Sequence, residues 1–205
     1  MTPPTHIPDP TTATDESLAT WVWGRLAAAA DEPNDPMHLH VLCTTDERTA
    51  PDARLMVLRG ASRELNSLWY HADATSTKVK QIERNAAACV VIYDRPTDTQ
   101  IRVHGDARIV QREEDIRAHW QHIRSLVQQL RHDDQASPPH DLRLEALNRS
   151  DHDSWWKPDH FAVIAMHPKT IDVHLPHAGH PRRRSLVVPA SQAHPGTSDS
   201  CAESV

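Results

Sequence analysis

MHLHVLCTTDERTAPDARLMVLRG, residues 37–60, changes the rhythm of the chain. Upstream, apolar residues recur at helical spacing; from Met37 the period is two. MHLHVLCTT and ARLMVLRG read as strands, and the DERTAPD between them supplies the Asp, Thr and Pro of a tight turn. Strands joined so briefly pair antiparallel, because a parallel pair needs a long crossover. On this alternation His38 and His40 fall on the wet face of the first strand.

Upstream, a helix is expected from about Asp15, capped by Asp15 or Thr14. Leu18, Trp21, Val22 and Leu26 step by 3, 1 and 4 along it and so share one buried stripe. DEPNDP, residues 31–36, breaks it. Residues 1–14 are rich in Pro and Thr and read as a disordered tail.

Downstream, ELNSLWYHA is a third strand, 76–85 a short helix and AAACVVIYD a buried strand. TQIRVHGDARIVQ alternates, with Gln100, Arg102 and His104 in one phase and Ile101 and Val103 in the other. REEDIRAHWQHIRSLVQQLRHDD is a helix with Ile116, Trp120, Ile123, Val127 and Leu130 as a narrow stripe. Residues 132–158 hold at most a short helix at DLRLEALN. HFAVIAMHP and TIDVHLPH read by pattern as two more strands, and 189–205 as a second disordered tail. The expected class is α+β: six or seven antiparallel strands in a barrel or sandwich, with flanking helices, in one domain over 15–188.

The bulk composition excludes several classes. A net charge of −6 gives no support to nucleic-acid or anionic-membrane binding. No apolar run is long enough to cross a bilayer, and the N-terminus lacks the basic and apolar regions of a signal peptide. A cytoplasmic protein is the expectation. The three cysteines are odd in number and form no CxxC pair; Cys43 and Cys89 read as reduced core thiols. No metal site is expected, since the histidines and cysteines lack ligand spacing.

Three stretches bear on chemistry. The first is YHADATSTKVKQIERN, residues 70–85, where Ser76, Thr77 and Lys78 open a helix directly after a strand. A helix N-terminus presents unpaired N–H groups and a partial positive charge, which suit a phosphate. A lysine there opposes the macrodipole unless an anion lies beside it. The competing reading is a hydroxyl cap beside a solvated lysine. The second is RLMVLR, where Arg54 and Arg59 bracket a strand and point to opposite faces unless a bulge intervenes. The third is the Gln100 strand, whose amide offers both donor and acceptor to the edge of a heterocycle.

Taken in order, PDARLMVLRG, LWYHADATSTK, IERNAAACVVIYD and TQIRVHGDARIV resemble the FMN-binding split barrels of the pyridoxamine 5′-phosphate oxidase-like superfamily. The resemblance covers about 37–130 and, more weakly, 155–188, where HFAVIAMHPKTIDVHL and HPRRRSL look like the last two strands. It implies a split β-barrel, a homodimer with FMN at the subunit interface, and a small-molecule substrate. By position, Arg54, Arg59, Ser76, Thr77 and Lys78 would hold the FMN phosphate and ribityl chain. Met56, Val57 and Leu58 would offer backbone groups to the ring. Tyr70 and His71 would lie along the cofactor, Gln100 would contact it, and Arg184, or else Arg183, would reach toward it.

The chain departs from the family's oxidases where Thr77-Lys78 replaces Arg-Lys and Arg59 replaces a usual Lys. REEDIRAHWQHIRS also lacks the substrate-holding Tyr. The implication is therefore FMN binding, and an FMN-dependent oxidoreductase, rather than vitamin B6 chemistry. His71, His104 and Arg184 are the catalytic candidates. The rival readings are a haem-binding or haem-degrading barrel of the same superfamily, kept open by the His-rich strands, and a non-catalytic flavin store.

Overall fold

The computed structural model describes residues 7–9, 12–121, 161–175 and 182–188. The helical stripe beyond 121, the segment 132–158, most of both tails and Cys201 lie outside them, so those readings and the domain limits remain expectations. Helix α1 spans Asp15–Asp31. Thr14 caps it, its Oγ1 accepting from the Ser17 N–H at 3.1 Å, and Asp15 and Glu16 in the first turn complement the dipole. The helix stops at Glu32, which is extended because Pro33 follows. Leu18, Trp21, Val22 and Leu26 are buried as expected, together with Trp23 and Ala29, and α1 packs on the second strand.

Seven strands follow: β1 Leu39–Thr45, β2 Pro51–Ser62, β3 Ser67–Asp73, β4 Ala87–Asp94, β5 Thr99–Ile109, β6 Phe161–Leu175 and β7 Arg182–Val187. Helix α2, Thr77–Arg84, joins β3 to β4. Helix α3 follows β5 and is described over 113–121. All strand pairs are antiparallel, in the order β3-β2-β1-β4-β5-β6-β7. A further β3–β6 pairing closes the first six into a barrel. The α+β split barrel expected from sequence is the fold observed.

The two strands read by pattern at HFAVIAMHP and TIDVHLPH are a single strand, β6. Its first half, Phe161–Met166, pairs β3, and its second half, Thr170–Leu175, pairs β7. Pro168 falls between the halves, where its missing N–H breaks no ladder bond. Across the other edge, β5 runs the whole length, with a bulge at His104 and Gly105. A Cβ on Gly105 would lie 2.0 Å from the His167 carbonyl oxygen, so only glycine fits that approach.

The core fills the barrel with Leu42, Met56, Leu58, Leu68, Tyr70, Val90, Ile92, Ile101, Val103, Ile164 and Met166. Each such side chain contributes roughly 1.5–3 kcal/mol by leaving water. β1 inverts the expected phase. His40 is fully buried and His38 nearly so, whereas Leu39 is exposed. The histidines tolerate burial because each is hydrogen-bonded: His38 Nδ1 donates to the Ala29 carbonyl at 2.6 Å, and His40 Nε2 to that of Met37 at 2.9 Å. β4 is not buried on both faces either: Val90 and Ile92 point inward, while Tyr93 is exposed.

Candidate functional site

The β3–α2 turn is built by side chains folding back on the backbone. Asp73 Oδ1 accepts from the Thr75 N–H at 2.7 Å and its hydroxyl at 2.6 Å, while the Ser76 hydroxyl donates to the Asp73 carbonyl at 2.6 Å. Ser76 is the N-cap residue of α2, yet its side chain makes no cap hydrogen bond. The hydroxyl cap that competes with the anion reading is therefore not formed. Thr77 and Lys78 occupy the first two helical positions, and this turn carries no acidic residue. A helix start with a cation, without a Ser76 side-chain cap and with no acidic residue in its first helical turn, is suited to an anion.

Arg54 lies elsewhere. It pairs with Leu42 in register and turns inward at one end of the barrel. Its Nη1 donates to Thr44 Oγ1 at 2.6 Å and to the Leu42 carbonyl at 3.2 Å; its Nη2 reaches Gln81 Oε1 at 2.9 Å and Asp52 Oδ2 at 2.7 Å. Gln81 Nε2 donates to Asp52 at 2.9 Å, and this bond, then Arg54, holds the Asp52 carboxyl below its ordinary range. This network pins α2 to β1 and β2, with Arg54 at its centre. Arg59 is the extra residue at the β2 bulge between Leu58 and Gly60, and only 7% of it is exposed.

Tyr70 does not lie along a surface cofactor. It is wholly inside the barrel, with its hydroxyl 2.7 Å from His40 Nδ1, and burial pushes its phenol well above the ordinary value. Met56 and Leu58 also point into the core, and Val57 is buried. His71 is covered by α3: its Nε2 is 3.2 Å from His119 Nδ1, and its ring lies 5.0 Å from that of Phe161. Arg184 is bound to the start of α1, where it pairs with Asp15 and donates to the Ala13 carbonyl at 3.2 Å.

Gln100, Arg102 and His104 share one outer face, as read. Strand register extends that face across the sheet, with Gln100 beside His174 and Arg183, and Arg102 beside Asp172 and Ser185. Asp172, which the sequence reading missed, is the hub. It accepts from Arg102 at 3.2 Å, Arg183 at 2.5 Å and Ser185 at 2.5 Å, with His104 Nε2 at 3.8 Å. Burial pushes its carboxyl up, but the Ser185 and Arg183 bonds and the Arg102 charge outweigh this and hold it below the usual value. The late arginine on this face is Arg183. The signal was present in TIDVHL, whose alternation sets Asp172 and His174 on one side.

The other half of the same face is apolar. Leu39, Val41 and Cys43 on β1 stand beside Val57, Leu55 and Ala53 on β2, while Val91 and Cys89 on β4 flank Val41 and Cys43. Among the described residues the large exposed hydrophobics are Leu39 at 45%, Leu55 at 67%, Tyr93 at 51% and Val187 at 81%. Tyr93 faces Gln100 and Val187 faces Thr170, so all four belong to this one surface.

Comparison with known proteins agrees with this architecture. Residues 19–111 match the family described as pyridoxamine 5′-phosphate oxidase, FMN-binding domain. Over those residues, just under half of the chain, the sequence is similar to that domain family. A pyridoxine/pyridoxamine 5′-phosphate oxidase of Legionella pneumophila (strain Lens) is 32% identical over 84 residues. That match spans 41% of this chain and only 38% of the relative. PhzG from Burkholderia lata 383, solved with tetrahydrophenazine-1-carboxylic acid, superposes with a TM-score of 0.57 at 16% identity, covering 89% of this chain and 98% of that one. A pyridoxamine 5′-phosphate oxidase-related, FMN-binding protein from Nostoc punctiforme PCC 73102 gives 0.52 at 18% identity, covering 79% and 95%. At such identities the two structures speak for the split barrel alone. No helix among the described residues is long and apolar enough to cross a membrane.

Proposed function

We propose that this member of the pyridoxamine 5′-phosphate oxidase-like barrels binds FMN and acts as an oxidoreductase. It would pass two electrons between a small substrate, or reduced nicotinamide, and an acceptor. The observation that carries the reading is the start of α2, where Ser76 leaves the helix without a side-chain cap while Lys78 stands in the first turn. Those residues fit a phosphate monoester: backbone N–H groups and the Thr77 hydroxyl donate to its oxygens, and Lys78 supplies the countercharge. Gln100 presents its amide on the outer face beside the apolar strip of Tyr93 and Val91, a surface suited to one edge of a flat heterocycle. When bound, FMN supplies the two-electron chemistry, and the protein supplies position and electrostatics.

His104 is the most exposed of the three catalytic candidates and lies on the polar half of that face beside Asp172. Leu39, Leu55 and Tyr93, the exposed apolar residues toward the Leu39 end of that face, are assigned to a second copy of the chain, giving a homodimer with the cofactor near the interface and leaving the Cys43–Cys89 row outside it. Deep burial of a pyridoxamine phosphate is not part of the proposal, since nothing on α3 over 113–121 replaces the oxidases' substrate-holding tyrosine.

The test is the visible absorption spectrum of the purified protein after incubation with FMN and gel filtration. Retained bands near roughly 370 and 450 nm, bleached by NADPH or by an amine substrate, are expected. A colourless protein, or a Soret band near roughly 400 nm after haem addition in place of flavin retention, overturns the reading. Retained flavin that no reductant bleaches removes the enzymatic part alone.

A further inference from the structure

Sequence reading places Cys43 and Cys89 in the core. The structure instead puts both, reduced and half-exposed, on the outer face of the sheet. They are register partners on the neighbouring antiparallel strands β1 and β4. Partners in register project to the same side of a sheet, so the two thiols lie side by side. Cα atoms of such partners are roughly 4.5–5.5 Å apart, inside the roughly 4.4–6.8 Å span that a disulfide bridges. Their Cβ atoms, at about 4.5–5.5 Å, start slightly too far apart, so closing the bond draws the strands together. Bridges closed under strain are the readily reduced kind.

We propose that Cys43 and Cys89 form an oxidation-sensitive dithiol that closes into a cross-strand disulfide in response to hydrogen peroxide. One thiolate attacks the peroxide: an S–O bond forms, the O–O bond breaks, and water leaves. The neighbouring thiolate then displaces the oxygen from the sulfenic acid, forming the S–S bond and releasing a second water. Two thiols and one peroxide thus give one disulfide and two waters, with the sulfurs oxidised and the peroxide oxygens reduced. The proposal does not depend on a bound flavin.

The setting fits a slow, reversible switch rather than a catalytic thiol. In the same row Cys89 is flanked by Cys43 on one side and His104 on the other. Burial pushes the Cys89 thiol up, the charge of Cys43 adds to this, and Arg102 partly offsets it. Attack should therefore quicken as pH rises from 7 toward 9.

The test uses the full-length chain carrying Cys201→Ser, treated with a few equivalents of hydrogen peroxide at pH 8 and read by intact mass. A loss of about 2 Da is expected, reversed by dithiothreitol. Tryptic mapping should show peptide 26–48 linked to peptide 85–102, and the further Cys89→Ser variant should show no such loss. Thiols that stay free in the folded protein, that oxidise only to sulfinic acid, or that cross-link two chains would overturn the proposal. Retention of FMN, measured in parallel by absorbance, is read independently of the mass change.

Discussion

The hydroxyl of Tyr70 and Nδ1 of His40 meet at 2.7 Å inside the barrel, with no water access to either. The tautomer follows from the partners. His40 Nε2 faces the Met37 carbonyl at 2.9 Å, and a carbonyl only accepts, so Nε2 carries the proton and Nδ1 accepts from Tyr70. A second proton would have to displace the Tyr70 hydrogen bond and charge the core. Burial accordingly lowers the His40 pKa from 6.5 to about 3.

This makes His40 a source of acid instability. The unfolded chain takes up a proton near 6.5 that the folded chain refuses until about 3, so the group's contribution is complete above 6.5 and is lost as pH falls toward 3. The slope is about 1.4 kcal/mol per pH unit in that window. Urea unfolding at pH 7 and pH 5 should show it, and a His40→Gln variant should lose less stability over the same interval. Equal losses in the two proteins would assign the acid sensitivity to other groups.

Gly105 should not tolerate a methyl group. The clash is with the backbone carbonyl of His167, at 2.0 Å from the added Cβ, so no side chain can rotate away. Gly105→Ala should cost at least about 2 kcal/mol and lower the melting temperature by several degrees. Differential scanning calorimetry of the variant decides this. An unchanged melting point would mean that the β5–β6 bulge relaxes freely.

The period-two rhythm that begins at Met37 was enough to read the antiparallel barrel, and the α1 stripe was legible because Leu18, Trp21, Val22 and Leu26 are apolar and all inside. The face of β1 was misread because hydropathy assumes that polar means outside. His40 goes inside on the strength of Tyr70, thirty residues away, and leaves Leu39 outside. β4 misled in the opposite way: AACVVIYD is apolar on both faces, yet only one of them meets the core. At the site, the strand alternation placed Gln100, Arg102 and His104 together. It did not show Arg184 bound to Asp15 or Arg54 to Gln81, because those partners are fixed by tertiary packing over long separations.

That distinction between Lys78 and Arg54 gives a paired prediction. Lys78→Ala should leave the fold intact and raise the dissociation constant for FMN about ten- to a hundredfold, the effect of one charge-assisted phosphate contact. Arg54→Ala should do the reverse, destabilising the protein by about 1–3 kcal/mol through the orphaned Asp52, Gln81 and Thr44 groups, with FMN affinity changed less. Flavin-fluorescence titration and thermal melts on both variants separate the roles. Loss of affinity confined to Arg54→Ala would return the phosphate to the end of the barrel.

The exposed apolar strip can be tested without the cofactor. Leu39 and Leu55 stand on adjacent strands of one outer face, one row apart, with Val41 between them and Tyr93 on the same surface. A solvent-facing strip of this kind is stable only when something covers it, and a two-fold symmetric partner presents the same strip in return. The double substitution Leu39→Glu and Leu55→Glu would set four carboxylates against each other across such an interface while leaving the barrel interior untouched. Light scattering should report a dimer for the native chain and a monomer of unchanged circular dichroism for the variant. A native chain that is already monomeric would release this face from the dimer and require another covering for it.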